Sequence, residues 1–144
     1  NWFGFKYEVI YFYNVYGPKQ ICSGDMATVI GIFENQYKNK KPLTVVKPGS
    51  QTRRFTHIYD TVNTCYYAWK LNKCRHYSIS NKKSYSILEV AKMFKTKIKY
   101  LSKRDGERYA SALANMSFSN KVYKKFGKIY LKDYINSFIK TQKK

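Results

Sequence analysis

Three short polar clusters in this 144-residue chain contain residue types that bind anions. They read Asn14-Val15-Tyr16-Gly17-Pro18, Gln51-Thr52-Arg53-Arg54-Phe55 and Arg104-Asp105-Gly106-Glu107. A guanidinium group offers paired N–H donors to phosphate oxygens, and a carboxamide can donate to the same oxygens. The clusters therefore predict a site for a phosphate-bearing ligand.

The first half of the chain alternates between strand and helix patterns. The apolar run from Lys6 to Tyr16 predicts a strand buried on both faces, as in a parallel sheet. A helix capped by Asp25 should follow it, and a second helix should be capped by Asp60. Short strands are expected at Leu43 to Val46 and at Phe55 to Ile58. The buried faces of the two helices should comprise Met26, Val29, Ile30, Phe33 and Tyr37 in the first, and Val62, Cys65, Tyr66 and Trp69 in the second.

The second half continues this alternation. Strands are expected at Arg75 to Ser80 and at Lys97 to Leu101, and Ser86 with Glu89 forms a capping box that opens a helix between them. After a polar loop at 102–109, helices are expected at 120–126 and 131–139. The predicted fold class is α/β, in which ligands bind at the carboxyl ends of strands. The three clusters lie in loops at such ends.

The net charge of +20 is a weak guide to function. Of the 28 basic residues, 23 are lysines, whereas proteins that read phosphates or base edges by forked hydrogen bonds favour arginine. Lys, Tyr, Ile, Asn and Phe are all encoded by AT-rich codons, so a biased genome explains the charge without a polyanionic partner. Binding of single-stranded nucleic acid is kept as a remote alternative.

Cysteine spacing argues against metal-binding and disulfide-stabilised classes of protein, and hydropathy argues against a membrane-spanning one. Cys22, Cys65 and Cys74 form neither a Cys-x-x-Cys pair nor an even set, so no metal site or disulfide framework is predicted. No apolar run reaches the roughly 20 residues of a membrane-spanning helix, so no membrane partner is predicted. A cytoplasmic location is expected.

The order and spacing of four motifs resemble the extended short-chain dehydrogenase/reductase family, the NAD-dependent epimerases and dehydratases of nucleotide sugars. The matching segments are Tyr13 to Pro18, Pro42 to Val45, Gly49 to Asp60 and Arg104 to Glu107. Within the family, the UDP-glucose 4-epimerases look most similar. The resemblance implies a Rossmann-type fold and a nucleotide-diphosphate sugar as substrate.

Four residues acquire phosphate- and ribose-binding roles from this resemblance. Asn14 would donate to the diphosphate, and the guanidinium of Arg53 would pair with it. Arg104 would be a second phosphate or ribose clamp, and Glu107 would accept from a ribose hydroxyl. Asp60 is interpreted as a helix cap rather than a ligand.

The resemblance implies two further contacts. Leu43, Thr44 and Val45 would lie beside the nucleobase, where a backbone edge can pair with it. Tyr13 would touch the nicotinamide end of NAD through its backbone. Two positions depart from the family pattern, since Tyr11 replaces a common Arg and Arg54 replaces an Asp. Arg54 is expected to add a cation beside the diphosphate.

The family's catalytic motifs are absent from the sequence. It contains no Gly-x-x-Gly-x-x-Gly turn, and its two Tyr-x-x-x-Lys strings, Tyr37 to Lys41 and Tyr66 to Lys70, are as many as chance predicts. Residues 1–144 are therefore interpreted as the C-terminal, substrate-binding portion of such an enzyme, with no catalytic residue of their own. The dinucleotide-binding half, which would bind most of the NAD, is expected to be missing, and the full-length protein is expected to be a homodimer.

Two readings within the family stay open beside a UDP-glucose 4-epimerase. One is a nucleotide-sugar 4,6-dehydratase and the other an ADP-heptose 6-epimerase. Both use the same scaffold with different residues in the half that this sequence lacks.

Overall fold

The computed structural model describes residues 3–73, 76–81, 83–103, 105 and 125–142. Strands and helices alternate along these residues, which confirms the α/β class. The strands are β1 Val9–Phe12, β2 Val15–Tyr16, β3 Leu43–Val46, β4 Thr52–Arg54, β5 Thr56–His57, β6 His76–Ile79, β7 Ser84–Ser86 and β8 Ile98–Leu101. The helices are α1 Val29–Lys38, α2 Ile58–Leu71, α3 Ile87–Met93 and α4 Leu131–Thr141.

Parallel pairing dominates the described strands. β1 pairs with β6, β2 with β5 and β3 with β8, all parallel, whereas β4 and β7 are antiparallel. The predicted strand from Lys6 to Tyr16 is divided in two, because Asn14 adopts a φ of 31° between β1 and β2. It is also not buried on both faces, since Phe12 is 61% exposed.

Helix α1 begins three residues later than the sequence suggests. Its N-cap is Thr28, whose Oγ1 accepts from the backbone N–H of Gly31 at 3.0 Å. The prediction that Asp25 caps this helix is therefore wrong, and Met26 is exposed rather than buried. The remaining predicted apolar positions, from Val29 onward, are buried or half-buried as expected.

Helix α2 differs more from its sequence prediction than α1 does. Its N-cap is His57, so the prediction that Asp60 caps it is wrong. The predicted buried face is wrong as well: Val62, Tyr66 and Trp69 are exposed, and the helix instead buries Thr61, Thr64 and Ala68. The two threonine hydroxyls donate to the carbonyls of His57 and Asp60 one turn earlier, so these small side chains allow close packing without an unpaired buried hydroxyl.

The two described helices of the second half follow the sequence closely, whereas the predicted loop at 102–109 and the predicted helix at 120–126 lie largely outside the described residues. Ser86 and Glu89 form the predicted capping box of α3, and α4 extends the predicted helix to Thr141. The main core packs α1, α3 and α4 around β3 and comprises Tyr16, Ile30, Phe33, Leu43, Val45, Phe55, Val90, Ala91, Phe94, Leu131, Ile135 and Ile139. A smaller cluster of Ala68, Tyr77 and Ile79 joins α2 to β6. No helix in the described ranges combines the length and apolarity needed to cross a bilayer.

Candidate functional site

A cavity of about 390 Å³ lies between α1, β3 and β4, a volume in the range of small-molecule sites. Three residues predicted from the sequence border it: Asn14, Thr44 and Arg53. They are far apart in the chain, and the fold brings them together where β2, β3 and β4 meet the N-terminal end of α1. The apolar part of the wall includes Val29, Phe33, Val46, Phe55 and Leu101.

Asn14 is held at the rim of the cavity by two hydrogen bonds. Its Nδ2 donates to the carbonyl of Arg54 at 3.0 Å, and its own carbonyl accepts from the N–H of Thr56 at 3.4 Å. Asparagine tolerates the left-handed conformation that it adopts here better than most residues. A carboxamide has a second N–H and an acceptor oxygen, so the contact with Arg54 does not exhaust its donors.

Arg53 and Arg54 are neighbours with different surroundings. Arg53 is half-buried, borders the cavity and donates from Nη1 to the carbonyl of Thr52 at 2.8 Å. The side chain of Arg54 is not among those that line the cavity, and its Nη1 donates to the carbonyl of Asn81 at 2.9 Å. Successive residues of a strand point to opposite faces, which explains the difference. The expectation that Arg54 adds a cation beside the diphosphate is therefore not met by this side chain.

Strand β3 presents its backbone to the cavity at alternate residues. The N–H groups of Leu43 and Lys47 donate to Lys97 and Leu101. Thr44 and Val46, which alternate with them, therefore turn their backbone groups away from β8, and both border the cavity. The side chains of Leu43 and Val45 are fully buried in the main core and do not line the cavity.

Two glutamines bind part of this strand edge. Gln36 of α1 accepts from the Thr44 N–H at 3.0 Å through Oε1 and donates to the Thr44 hydroxyl at 2.8 Å through Nε2. Gln51 donates from Nε2 to the carbonyl of Val46 at 3.4 Å. Within the described residues, the Thr44 carbonyl and the Val46 N–H have no backbone or side-chain partner. Sequence reasoning overlooked both glutamines, although Gln51 lies within a motif that it quoted.

A second polar cluster, His57 and Asp60, is structural. Asp60 accepts from the N–H groups of Lys128 and Ile129 at 3.4 and 3.3 Å, and Tyr16 donates from its hydroxyl to the carbonyl of Ile129. Burial raises the pKa of the Asp60 carboxyl and lowers the pKa of the His57 imidazole. Neither residue borders the cavity beside α1. They hold the segment that leads into α4.

Of the three remaining predicted residues, the structure describes Tyr13 alone. Tyr13 follows β1 at its carboxyl end, and its hydroxyl accepts from Ser78 at 2.8 Å. Arg104 and Glu107 lie outside the described residues, although Leu101, three positions before Arg104, borders the cavity. Within the described ranges no group of three or more His, Cys, Asp or Glu side chains could hold a metal ion.

Comparison with known proteins identifies a family and a fold. The family model described as the NAD dependent epimerase/dehydratase family matches residues 1–80, which is more than half of the chain. Among solved structures, UDP-N-acetylglucosamine 4-epimerase from Methanobrevibacter ruminantium M1, in complex with UDP-N-acetylmuramic acid, matches 95% of this chain with a TM-score of 0.83 and 22% identity.

Two other structures extend the comparison. UDP-glucose 4-epimerase from Thermotoga maritima with UDP-glucose matches 95% of this chain with a TM-score of 0.77 and 21% identity. dTDP-glucose 4,6-dehydratase from Bacillus anthracis str. Ames, in complex with NAD, matches 92% with a TM-score of 0.71 and 18% identity. At these identities the likeness shows the fold. The chain spans 46%, 46% and 43% of the three proteins' own lengths, respectively.

Proposed function

The chain belongs to the NAD dependent epimerase/dehydratase family, and we propose that its 144 residues form the nucleotide-sugar-binding portion of an NAD-dependent epimerase, a UDP-glucose 4-epimerase in the first instance. The observation that carries the proposal is the cavity that gathers Asn14, Thr44 and Arg53. A forked cation, a carboxamide and a backbone edge line one space of about 390 Å³. These groups can bind the phosphates and the base of a nucleoside diphosphate.

The diphosphate would lie between Asn14 and Arg53. The guanidinium of Arg53 offers a planar fork that matches two phosphate oxygens, and such charge-assisted bonds are about twice as strong as neutral ones. The amide of Asn14 would donate its second N–H to the same group. The proposed roles of Arg104 as a second clamp and of Glu107 as a ribose acceptor derive from the family resemblance.

The nucleobase would lie against β3. The Thr44 carbonyl and the Val46 N–H form an adjacent acceptor and donor at the cavity wall. The imide edge of uracil carries an N–H beside a carbonyl oxygen, so it can pair with both groups at once. Leu43 and Val45 would contribute by anchoring the strand in the core rather than by touching the base through their side chains.

NAD would reach this chain at the end of β1. When bound, it supplies the oxidation of a sugar carbon and the return of the hydride. The fit of this chain to NAD rests on Tyr13, which lies at the carboxyl end of a parallel strand, where α/β sheets bind their ligands. The chain's own residues would hold the nucleotide so that the sugar extends toward Tyr13.

The dinucleotide-binding half would cover surfaces that this chain leaves exposed. Within the described residues β1 pairs with β6 alone, and Phe12, the last residue of β1, is exposed. Val62, Tyr66 and Trp69 on the outer face of α2 are 54%, 56% and 70% exposed. Apolar surface of this extent on neighbouring elements is typical of an interface. The homodimer stays a prediction from the family resemblance.

A nucleotide-sugar 4,6-dehydratase is the second candidate. It is supported by the likeness to the dTDP-glucose 4,6-dehydratase structure, whose TM-score of 0.71 lies below the 0.83 and 0.77 of the two epimerases. The ADP-heptose 6-epimerase stays a third reading. All three share a nucleoside diphosphate, so the cavity supports each of them equally in its phosphate-binding part.

Calorimetric titration of the full chain with UDP tests the proposal. UDP should bind, and Arg53→Met should weaken binding about tenfold or more, because the lost contact is a charge-assisted one. Lys132→Met, which removes one exposed cation from α4, is the matched control and should leave the affinity unchanged. A titration with a single-stranded oligonucleotide tests the alternative of nucleic-acid binding. Absence of UDP binding together with tight, salt-sensitive oligonucleotide binding would refute the nucleotide-sugar assignment.

A further inference from the structure

Arg54, the last residue of β4, is hydrogen-bonded to the segment that follows β6. Its Nη1 donates to the carbonyl of Asn81, which follows β6, at 2.9 Å. Its own carbonyl accepts from Nδ2 of Asn14 at 3.0 Å. Arg54 is half-buried and Asn81 is buried, so solvent competes weakly for these bonds.

This connection exists because the residue is an arginine. A guanidinium donates hydrogen bonds, whereas a carboxylate can only accept them. An aspartate could not donate to the Asn81 carbonyl. The arginine therefore provides a link between β4 and the residue two positions after β6.

A second hydrogen bond lies beside this link. Thr56, two residues after Arg54, donates from Oγ1 to the carbonyl of Ile79 at 3.0 Å. This bond joins β5 to the last residue of β6. The two contacts fix the segment from Arg54 to Thr56 at both ends. Asn14 bonds to this same segment through its side chain and its carbonyl.

We propose that Arg54 is a positioning residue: by joining the Asn81 carbonyl to the segment that binds Asn14, it holds the Asn14 amide at the rim of the cavity. The inference rests on the proposed function, since it assigns Asn14 to ligand binding. Arg54 acts through Asn14 and not through its charge, because its side chain does not line the cavity.

The test compares Arg54→Met, Arg54→Asp and Arg54→Lys by titration with UDP. The first two remove the donor and should weaken binding about fivefold, the usual effect of one lost hydrogen bond. Arg54→Lys retains a donor and should bind nearly as wild type does. The ratio between wild type and Arg54→Met should be the same at low and at high salt, because a positional effect is not screened.

Two results would overturn the inference while leaving the proposed function intact. One is wild-type affinity in Arg54→Met. The other is a loss that grows as salt is lowered, which would mean that Arg54 acts on the ligand as a charge. If wild type itself fails to bind UDP, the proposed function falls, and this outcome is distinct from both.

NMR provides a readout that needs no ligand. In the wild-type chain the Arg54 guanidinium protons should exchange slowly with solvent, and the side-chain amide of Asn14 should shift in Arg54→Met more than in Arg54→Lys. Unprotected Arg54 protons in wild type would refute the link directly. Because the exchange measurement uses wild type alone, it stands even if Arg54→Met fails to fold.

Discussion

The Asp60 carboxylate accepts the backbone N–H of Ile129 at 3.3 Å, although 69 residues separate the two in sequence. A second bond from Lys128 reaches the other carboxylate oxygen. The start of α2 is thereby joined to the segment that leads into α4. A residue that sequence reasoning assigned to a helix cap is instead a tertiary anchor.

Replacing Asp60 should destabilise the fold. Asp60→Ala removes the acceptor of two backbone donors and should cost about 1–3 kcal/mol, measured as a loss in the free energy of unfolding in urea. Asp60→Asn keeps one acceptor oxygen and should cost less. Asp25→Ala is the control: Asp25 is exposed and does not cap α1, so its loss should fall within about 0.5 kcal/mol. Equal effects of Asp25→Ala and Asp60→Ala would contradict the anchor.

His57 should make stability depend on pH. Burial lowers its pKa in the folded state, so below about pH 6.5 the unfolded state binds a proton that the folded state does not. The folded state therefore loses stability as pH falls from neutral through the imidazole's ordinary range. Melting temperature should drop between pH 7.5 and 5.5, and the drop should be smaller in His57→Gln. An unchanged slope in the variant would assign the effect to other groups.

The helix caps show how far the sequence could be read. Ser86 and Glu89 were predictable because the capping box is a local pattern of two residues three positions apart. Thr28 and His57 were not, because their capping bonds depend on where the chain enters each helix. The inward face of α2 was misassigned for a related reason. Threonine hydroxyls that bond back to the helix can be buried, and the aromatic residues that hydropathy would bury are exposed.

The cavity was predictable in part. Asn14 and Arg53 were identified from motifs whose spacing reflects the turns after β1 and at β4. Strand β3 was expected beside the ligand and does border the cavity, but the alternation that turns Thr44 and Val46 rather than Leu43 and Val45 toward it depends on which edge pairs with β8. Gln36 and Gln51 are ordinary helix and loop residues in sequence. Their contacts with the strand edge arise only from tertiary packing.

The capping box of α3 should contribute measurable stability. In the folded chain Glu89 accepts from the Ser86 N–H and hydroxyl, which holds the pKa of its carboxyl below the ordinary value. Ser86→Ala should lower the free energy of unfolding by about 1 kcal/mol. Since the folded pKa is depressed, the contribution of Glu89 is present above the ordinary pKa of glutamate and is lost as pH falls through the folded value. Ser102→Ala, in the exposed segment after β8, is the matched control and should have no effect.

Gly31 in α1 should resist the substitution that usually strengthens a helix. Replacing a helical glycine with alanine normally gains about 0.5–1 kcal/mol. Here the added Cβ would meet the carbonyl oxygen of Ile21 and approach the Thr28 Oγ1 to 3.0 Å. The Ile21 carbonyl also accepts from the Thr28 N–H at 3.1 Å, so a shift of this loop would disturb the N-cap and the cavity wall that Thr28 forms.

Gly31→Ala should therefore lower both the melting temperature and the affinity for UDP, measured by thermal unfolding and calorimetry. A more stable variant with unchanged affinity would show that the loop at Ile21 moves away without cost.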